Sequence, residues 1–404
     1  MGWQGGRDLY RLLFDCLQAV CETDDQVVIL AQNMRDALPW RLARLGKHVL
    51  SRYPWDRDWM AWEIARTSIK ESLRRTFGHS VKFESTAALT TQSDRSWESS
   101  AFDVIGPLCS PPSDNGVAWV GYIPDCQHRR LPQNFSAEER IQRDRAFSNL
   151  LRLASVVIVT SKEAKSDIAN YYGPTHVEIV TLPFATASHA DWFDIDVKRL
   201  LIKYNLPSNY FICSNQFWTH KNHAVIVEAL AIAKAEGRAH RVVFTGDTHD
   251  YRDPEHFQRL VQRTEELGVA QNCHFLGLLP KLDQIGLMRA AMAVIQPTLF
   301  EGAPGGGAVY NAVALGKRVL LSDIPINHEI EPQHVDEYFA PTDARALHRT
   351  MIRAEERVTP ARAKELLLRE SQERQRKCGM VLRSAFALAI KRSMAPTKRT
   401  LKFG

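Results

Sequence analysis

Between Pro297 and Asn327 the chain reads PTLFEGAPGGGAVYNAVALGKRVLLSDIPIN, which sets one acid, Glu301, shortly ahead of three consecutive glycines, Gly305, Gly306 and Gly307. The pattern predicts a strand ending near Glu301, a glycine loop, an Ala-rich helix over 308–315 and a second strand over 318–322 that ends at Asp323. Backbone N–H groups at such a helix start form an anion site, and glycines let a ligand approach the backbone closely. Gly316 stands where the helix must end, in the position that favours a left-handed residue. Taken alone, a glycine run before a helix reads equally well as a tight turn or as a phosphate site.

A second group of residues could serve the same chemistry. The segment from Asn215 to His223 reads NQFWTHKNH and leads into a helix, so Lys221 lies at the positive end of that helix. A cation there is unfavourable unless it meets an anion. His128 follows a strand in PDCQH, at the carboxyl end where open α/β sheets place ligands, although a lone histidine in that position is more often structural.

These groups need a scaffold of alternating strands and helices. Apolar, β-branched runs predict strands over 26–31, 102–106, 117–123, 156–160, 177–182, 210–214, 241–245, 274–276 and 293–296. Helices are predicted over 162–172 behind Ser161, over 255–267, 282–290 and 342–357, and as long basic helices over 360–392. Ser136 with Glu139 forms a capping box for another. At the start, Gly5 and Gly6 precede an amphipathic helix over 7–21, with no strand before them, as if the first strand of a doubly wound domain were missing. The stretch 38–77 mixes Trp40, Tyr53, Trp55, Trp59 and Trp62 with many Arg and Lys residues. It suits helices packed on the domain with their basic stems over apolar surface, or contact with an anionic membrane face.

Read together, these motifs resemble family 4 retaining glycosyltransferases. FEG, the glycine loop, a following Ala-x-Gly helix end, a strand and Ser-Asp match that family's donor-sugar motif. The resemblance implies that Glu301 faces the sugar, that the amides of Gly305, Gly306 and Gly307 face sugar and phosphates, and that Asn311 holds the ribose. The family has an acid at that last place, and its usual seven-residue gap between the two acids is nine residues here. The resemblance further places Lys221 on the donor diphosphate, Gln216 where the family carries an Arg, and His128 near the sugar from the opposite domain. It also gives donor contacts to Gly246 and to Leu279 in the turn GLLP, and makes Gly5 and Gly6 the N-terminal loop.

The implied fold is α/β of the GT-B type, two Rossmann-like doubly wound domains facing a cleft. Its parts would be an acceptor-side domain over 1–190, a linker over 191–207, a nucleotide-sugar domain over 208–358, and returning helices with a polar tail over 359–404. The implied activity is transfer of a sugar from a nucleotide-sugar donor to a glycan or lipid-linked glycan, with retained anomeric configuration and without a metal or other cofactor. A non-catalytic scaffold of the same fold is the alternative, favoured by Asn311, Gln216 and the absent first strand. A nucleotide-sugar epimerase is weaker, because its acids and bases cannot be placed.

Composition narrows the field. In 404 residues, 45% hydrophobic and 24% charged, there is enough apolar surface for two cores. The net charge of +6 is spread thinly, so it reads as a bias to anionic small partners and not as a nucleic-acid surface. Seven scattered cysteines without a C-x-x-C pair indicate a reducing compartment and no structural zinc. No apolar run of membrane-spanning length and no leader pattern occur, which points to the cytoplasm, free or on the inner face of the membrane. Asp194-Ile195-Asp196 reads as solvated helix charge, not a metal motif, and His328, Glu329 and His334 lack zinc spacing.

Overall fold

The computed structural model describes residues 4–21, 28–31, 82–85, 103–112, 117–357 and 361–394. The aromatic and basic stretch 38–77 lies outside the described residues. By their contacts the described residues form two units: those within Met1–Val20, Val104–Pro111 and Ala118–Gly404, and those within Cys21–Asp103 and Pro112–Val117. The second unit holds a parallel pair, β1 (Val28–Ala31) and β2 (Lys82–Ser85).

The first unit contains two parallel sheets. One is four-stranded, with β3 (Val104–Leu108), β4 (Ala118–Tyr122), β5 (Val156–Val159) and β6 (Glu178–Thr181) side by side in chain order. The other runs β12-β11-β10-β7-β8-β9, from β7 (Phe211–Ser214), β8 (Val242–Thr245), β9 (Cys273–Phe275), β10 (Val294–Gln296), β11 (Val319–Ser322) and β12 (Val335–Phe339). The chain enters this sheet at the centre, moves outward to β9, then returns beside β7 and moves out the other way. The reversal between β7 and β10 is the switch point of a doubly wound sheet, and it opens a crevice at the strands' carboxyl ends.

Burial explains why these segments are strands. Phe211–Ser214, Val242–Thr245 and Val319–Ser322 are buried throughout, because helices cover both faces and a continuous apolar run satisfies both. The connecting helices include α1 (Gln4–Gln18), the short α2 (Gln127–Arg130), α3 (Ala137–Leu153), α4 (Lys162–Tyr172), α5 (Val197–Lys203), α6 (His223–Ala235), α7 (His256–Glu266) and α8 (Lys281–Ala290). After them come α9 (Gly306–Ala314), α10 (Ala344–Glu356) and α11 (Lys364–Met394). The Ser136 capping box is present, and Ser161 caps α4 through Ala164 N–H.

Two details differ from expectation. Gly5 and Gly6 lie inside the first turn of α1 instead of in a loop ahead of it. The basic C-terminal segment is one helix of 31 residues, not several. It continues through Gly379 because α1 packs there so closely that a Cβ would stand 2.0 Å from the Cys16 carbonyl oxygen. Asp194-Ile195-Asp196 spends its acids locally, Asp196 capping α5 and Asp194 pairing with Lys364 at 2.9 Å.

Candidate active site

The carboxyl ends of β7 and β10 carry the polar residues that meet at the switch point. Asn215, just beyond β7, donates from Nδ2 to Oε1 of Gln296, the last residue of β10, at 2.8 Å. Gln296 Nε2 donates to Glu301 Oε1 at 2.9 Å, and Lys221 Nζ reaches the same oxygen at 2.5 Å. Gln296 is wholly buried, and the Glu301 and Lys221 side chains are 9% and 12% exposed. Such low exposure makes this a charge-assisted pair with little screening, held by an amide whose own carbonyl is fixed from behind.

Lys221 ends a 3-10 turn, Thr219–Lys221, directly ahead of α6. Asn222 follows in the left-handed region at φ 55°, and its Nδ2 donates to Pro297 O and Pro341 O at 3.0 and 2.7 Å. That clamps the lysine turn to the chain leaving β10. The unfavourable charge at a helix start is therefore met by the Glu301 carboxylate. Burial, followed by the Lys221 charge, holds His220 well below the usual histidine range, so its ring is neutral beside the lysine.

The glycine loop is held with equal definition. Gly305 and Gly306 have φ of 67° and 65°, both left-handed, which only glycine adopts without strain. A Cβ on Gly306 would stand 2.9 Å from the Glu301 carboxyl carbon. The Gly305 N–H donates to Asn327 Oδ1 at 3.0 Å, while Asn327 Nδ2 donates to the carbonyl of Ser322 at 2.8 Å, tying the loop to the end of β11. The Gly306 N–H donates to Ala303 O at 3.0 Å. Two of the three glycine amides thus have partners within the protein. Gly307, in the first turn of α9, is exposed with nothing within 4 Å of where a Cβ would be, so a ligand has room there. The helix ends as expected: Gly316 has φ 65°, Lys317 N–H donates to Ala312 O and Gly316 N–H to Val313 O, a Schellman motif.

The remaining residues border the same crevice. Gly246 approaches the β7 loop so closely that a Cβ would be 1.9 Å from Asn215 O and 2.9 Å from Gln216 N, and its N–H donates to Gly277 O at 2.8 Å. Leu279 is partly buried against the core beneath the sheet. Asn311 on α9 has its Oδ1 3.5 Å from Lys281 Nζ, which also donates to Asp8 of α1 at 2.7 Å. From the four-stranded sheet, Thr160 and Ser161 donate their hydroxyls to Gly302 O at 3.2 and 3.1 Å. Glu329 accepts the Lys162 and Glu163 N–H groups at the start of α4, at 2.8 and 2.9 Å. Glu301 is therefore fixed between the two sheets.

His128 is not part of this cluster. The short helix α2 turns it into its own half, where it is fully buried between Phe135 and Phe147 and pairs through Nε2 with Asp144 at 2.9 Å and Tyr172 at 3.2 Å. Burial lowers its pKa below the usual value. From that side Pro124 and Asp125 approach Gly302, where an added Cβ would stand 2.5 Å from Pro124 O and 2.8 Å from the Asp125 Cβ. Gln296, Asn215 and Asn327 were not singled out from the sequence, where each is an isolated amide at a strand end. Among the described residues no cluster of three or more His, Cys, Asp or Glu could hold a metal, and no helix is long and apolar enough to cross a membrane.

Residues 199–365 match the family model of glycosyl transferases group 1. Among solved structures, the chain is 15% identical to a glycosyltransferase from Rickettsia africae, covering 91% of this chain and 96% of that one at a TM-score of 0.52. It is also 15% identical to HepE of Anabaena in complex with UDP and glucose, covering 80% and 84% at a TM-score of 0.51. The sucrose-phosphate synthase of Thermosynechococcus elongatus is 18% identical at a TM-score of 0.46, and the match spans 66% of its length. No curated protein matches the chain. At these identities the first two solved structures establish the fold, and the family model matches the six-stranded half.

Proposed function

We propose that this chain, whose residues 199–365 belong to glycosyl transferases group 1, moves a sugar from a nucleotide-sugar donor to a glycan or lipid-linked glycan acceptor, retaining the anomeric configuration and using no metal. The observation that carries the proposal is the Lys221–Glu301 pair, held by Gln296 at the switch point in front of α9. When a nucleoside diphosphate leaves the anomeric carbon, negative charge grows on its phosphate oxygens. Lys221 and the amino end of α9 at Gly307 supply fixed positive charge for it without reorganisation. Glu301, whose Oε1 takes both Lys221 and Gln296, orients sugar hydroxyls, and Asn311 accepts from or donates to the ribose. HepE is seen with UDP and glucose, which makes UDP the first base to try here.

A dead site in a scaffold protein is the second reading, because Asn311 replaces an acid and its neighbour Lys281 is engaged by Asp8. Donor hydrolysis and transfer, followed by proton NMR of the anomeric signal, separates the two. Lys221→Ala lowers turnover by about 10²- to 10³-fold and Glu301→Ala abolishes it. Binding of nucleotide without any turnover by the wild type selects the scaffold.

A further inference from the structure

The six-stranded sheet has a second opening at the amino ends of its strands, away from the crevice. Arg318 directly precedes β11 and Met292 lies just before β10, whereas Glu301 and the glycines follow the carboxyl end of β10. A cavity of about 370 Å³ lies there, within the range of small-ligand sites. Its walls include Arg289, Lys317, Arg318 and Arg362 beside Phe193 and Met292, and among the described residues no acid lines it.

The charge around this cavity is not balanced. Arg318 has Asp336 at 3.7 Å, but Arg357 shares that carboxylate at 2.5 Å. Arg362 pairs with Glu370, which Arg374 also approaches at 3.7 Å. Among the described residues Arg289 donates to the carbonyls of Trp192 and Ile195, at 2.7 and 2.6 Å, and Lys317 to Arg289 O at 3.0 Å. Neither has a carboxylate partner among the described residues. Burial, with Arg318 and Arg289 adding to it, pushes the Lys317 ammonium down to about 8, as expected of a cation that lacks a counter-charge.

We propose that this cavity binds a small phosphomonoester, its phosphate held by Lys317, Arg289 and Arg362 and its carbon body against Phe193 and Met292. A planar guanidinium fork suits phosphate oxygens, and a dianion offsets the uncompensated charges together. The apolar walls favour an organic phosphate over the free ion. The site is separate from the one that would take a nucleotide diphosphate, and it stands whether or not the chain turns over a nucleotide-sugar.

The test is calorimetric titration of the full chain with ribose 5-phosphate and with inorganic phosphate, at ionic strength matched with chloride. Wild type and Lys221→Ala bind ribose 5-phosphate equally, and Lys317→Gln weakens it by about tenfold or more, the scale of one charge-assisted hydrogen bond. Arg362→Gln, checked by circular dichroism like the other variants, gives the same loss should Lys317→Gln fail to fold. Excess UDP leaves the binding unchanged. No binding to the wild type, displacement by UDP, or loss in Lys221→Ala with full binding in Lys317→Gln overturns the proposal.

Discussion

His223 makes the start of α6 sensitive to acid. The residue is fully buried, its ring is stacked on Phe217 with centroids 4.5 Å apart, and neither ring nitrogen has a hydrogen-bond partner among the described residues. Burial, followed by the charges of His256 and Lys221, lowers its pKa from 6.5 to about 3. The folded state therefore refuses a proton that the unfolded state accepts. Stability from this group is complete above the unfolded value of 6.5 and is lost as pH falls towards 3. Each pH unit in that window is worth about 1.4 kcal/mol, so at pH 4.5 the loss is roughly 3 kcal/mol. Urea unfolding at pH 7.5 and at pH 4.5 measures it, with His223→Phe as the comparison, since Phe keeps the stack and removes the titration. The variant should lose about 3 kcal/mol less than the wild type between the two pH values, while the other buried histidines act alike in both chains. An equal loss in both would refute the burial argument.

Three substitutions separate the tightly held backbone around the crevice from the one open glycine of the loop. Gly246→Ala puts a methyl 1.9 Å from Asn215 O at a φ of 147°, and should cost roughly 3 kcal/mol or more in urea unfolding; a loss under about 1 kcal/mol would contradict the close approach. Asn327→Ala leaves the buried Gly305 N–H and Ser322 O without their partner, and should cost about 2 to 4 kcal/mol while also loosening the glycine loop. Gly307→Ala meets open space in a helical turn, so its stability should stay within about 1 kcal/mol of wild type, yet nucleotide-sugar binding should weaken. Unimpaired binding by that variant would mean that the donor does not approach α9.

The alternation of elements was legible because most of the buried strands are β-branched runs and several helices carry their own signals, Ser136 with Glu139, Ser161, and Gly316 at a left-handed end. Glu301, Lys221 and the glycines were legible as types at the right ends of strands. Their contacts were not. Gln296 reads as the polar end of an apolar strand, and its role depends on β10 lying beside β7 with Val294 opposite Ile212, a pairing across more than eighty residues of chain. The same distance hides Asn215, and Asn327, which ties Gly305 to Ser322, is a single amide whose type and position carry no pattern of their own. His128 shows the reverse error: position after a strand suggested the crevice, but a single turn of helix aims it at Phe135 and Phe147.

The central claim is that the Lys221–Glu301 crevice receives a nucleotide diphosphate, and thermal unfolding with UDP, GDP, TDP and their sugars tests it most directly. A ligand at about 100 times its dissociation constant adds roughly 2.7 kcal/mol to stability. The account predicts a clear rise in Tm with one base, lost in Lys221→Ala and kept in Lys317→Gln. No rise with any of them, or a rise that persists in Lys221→Ala, would contradict it.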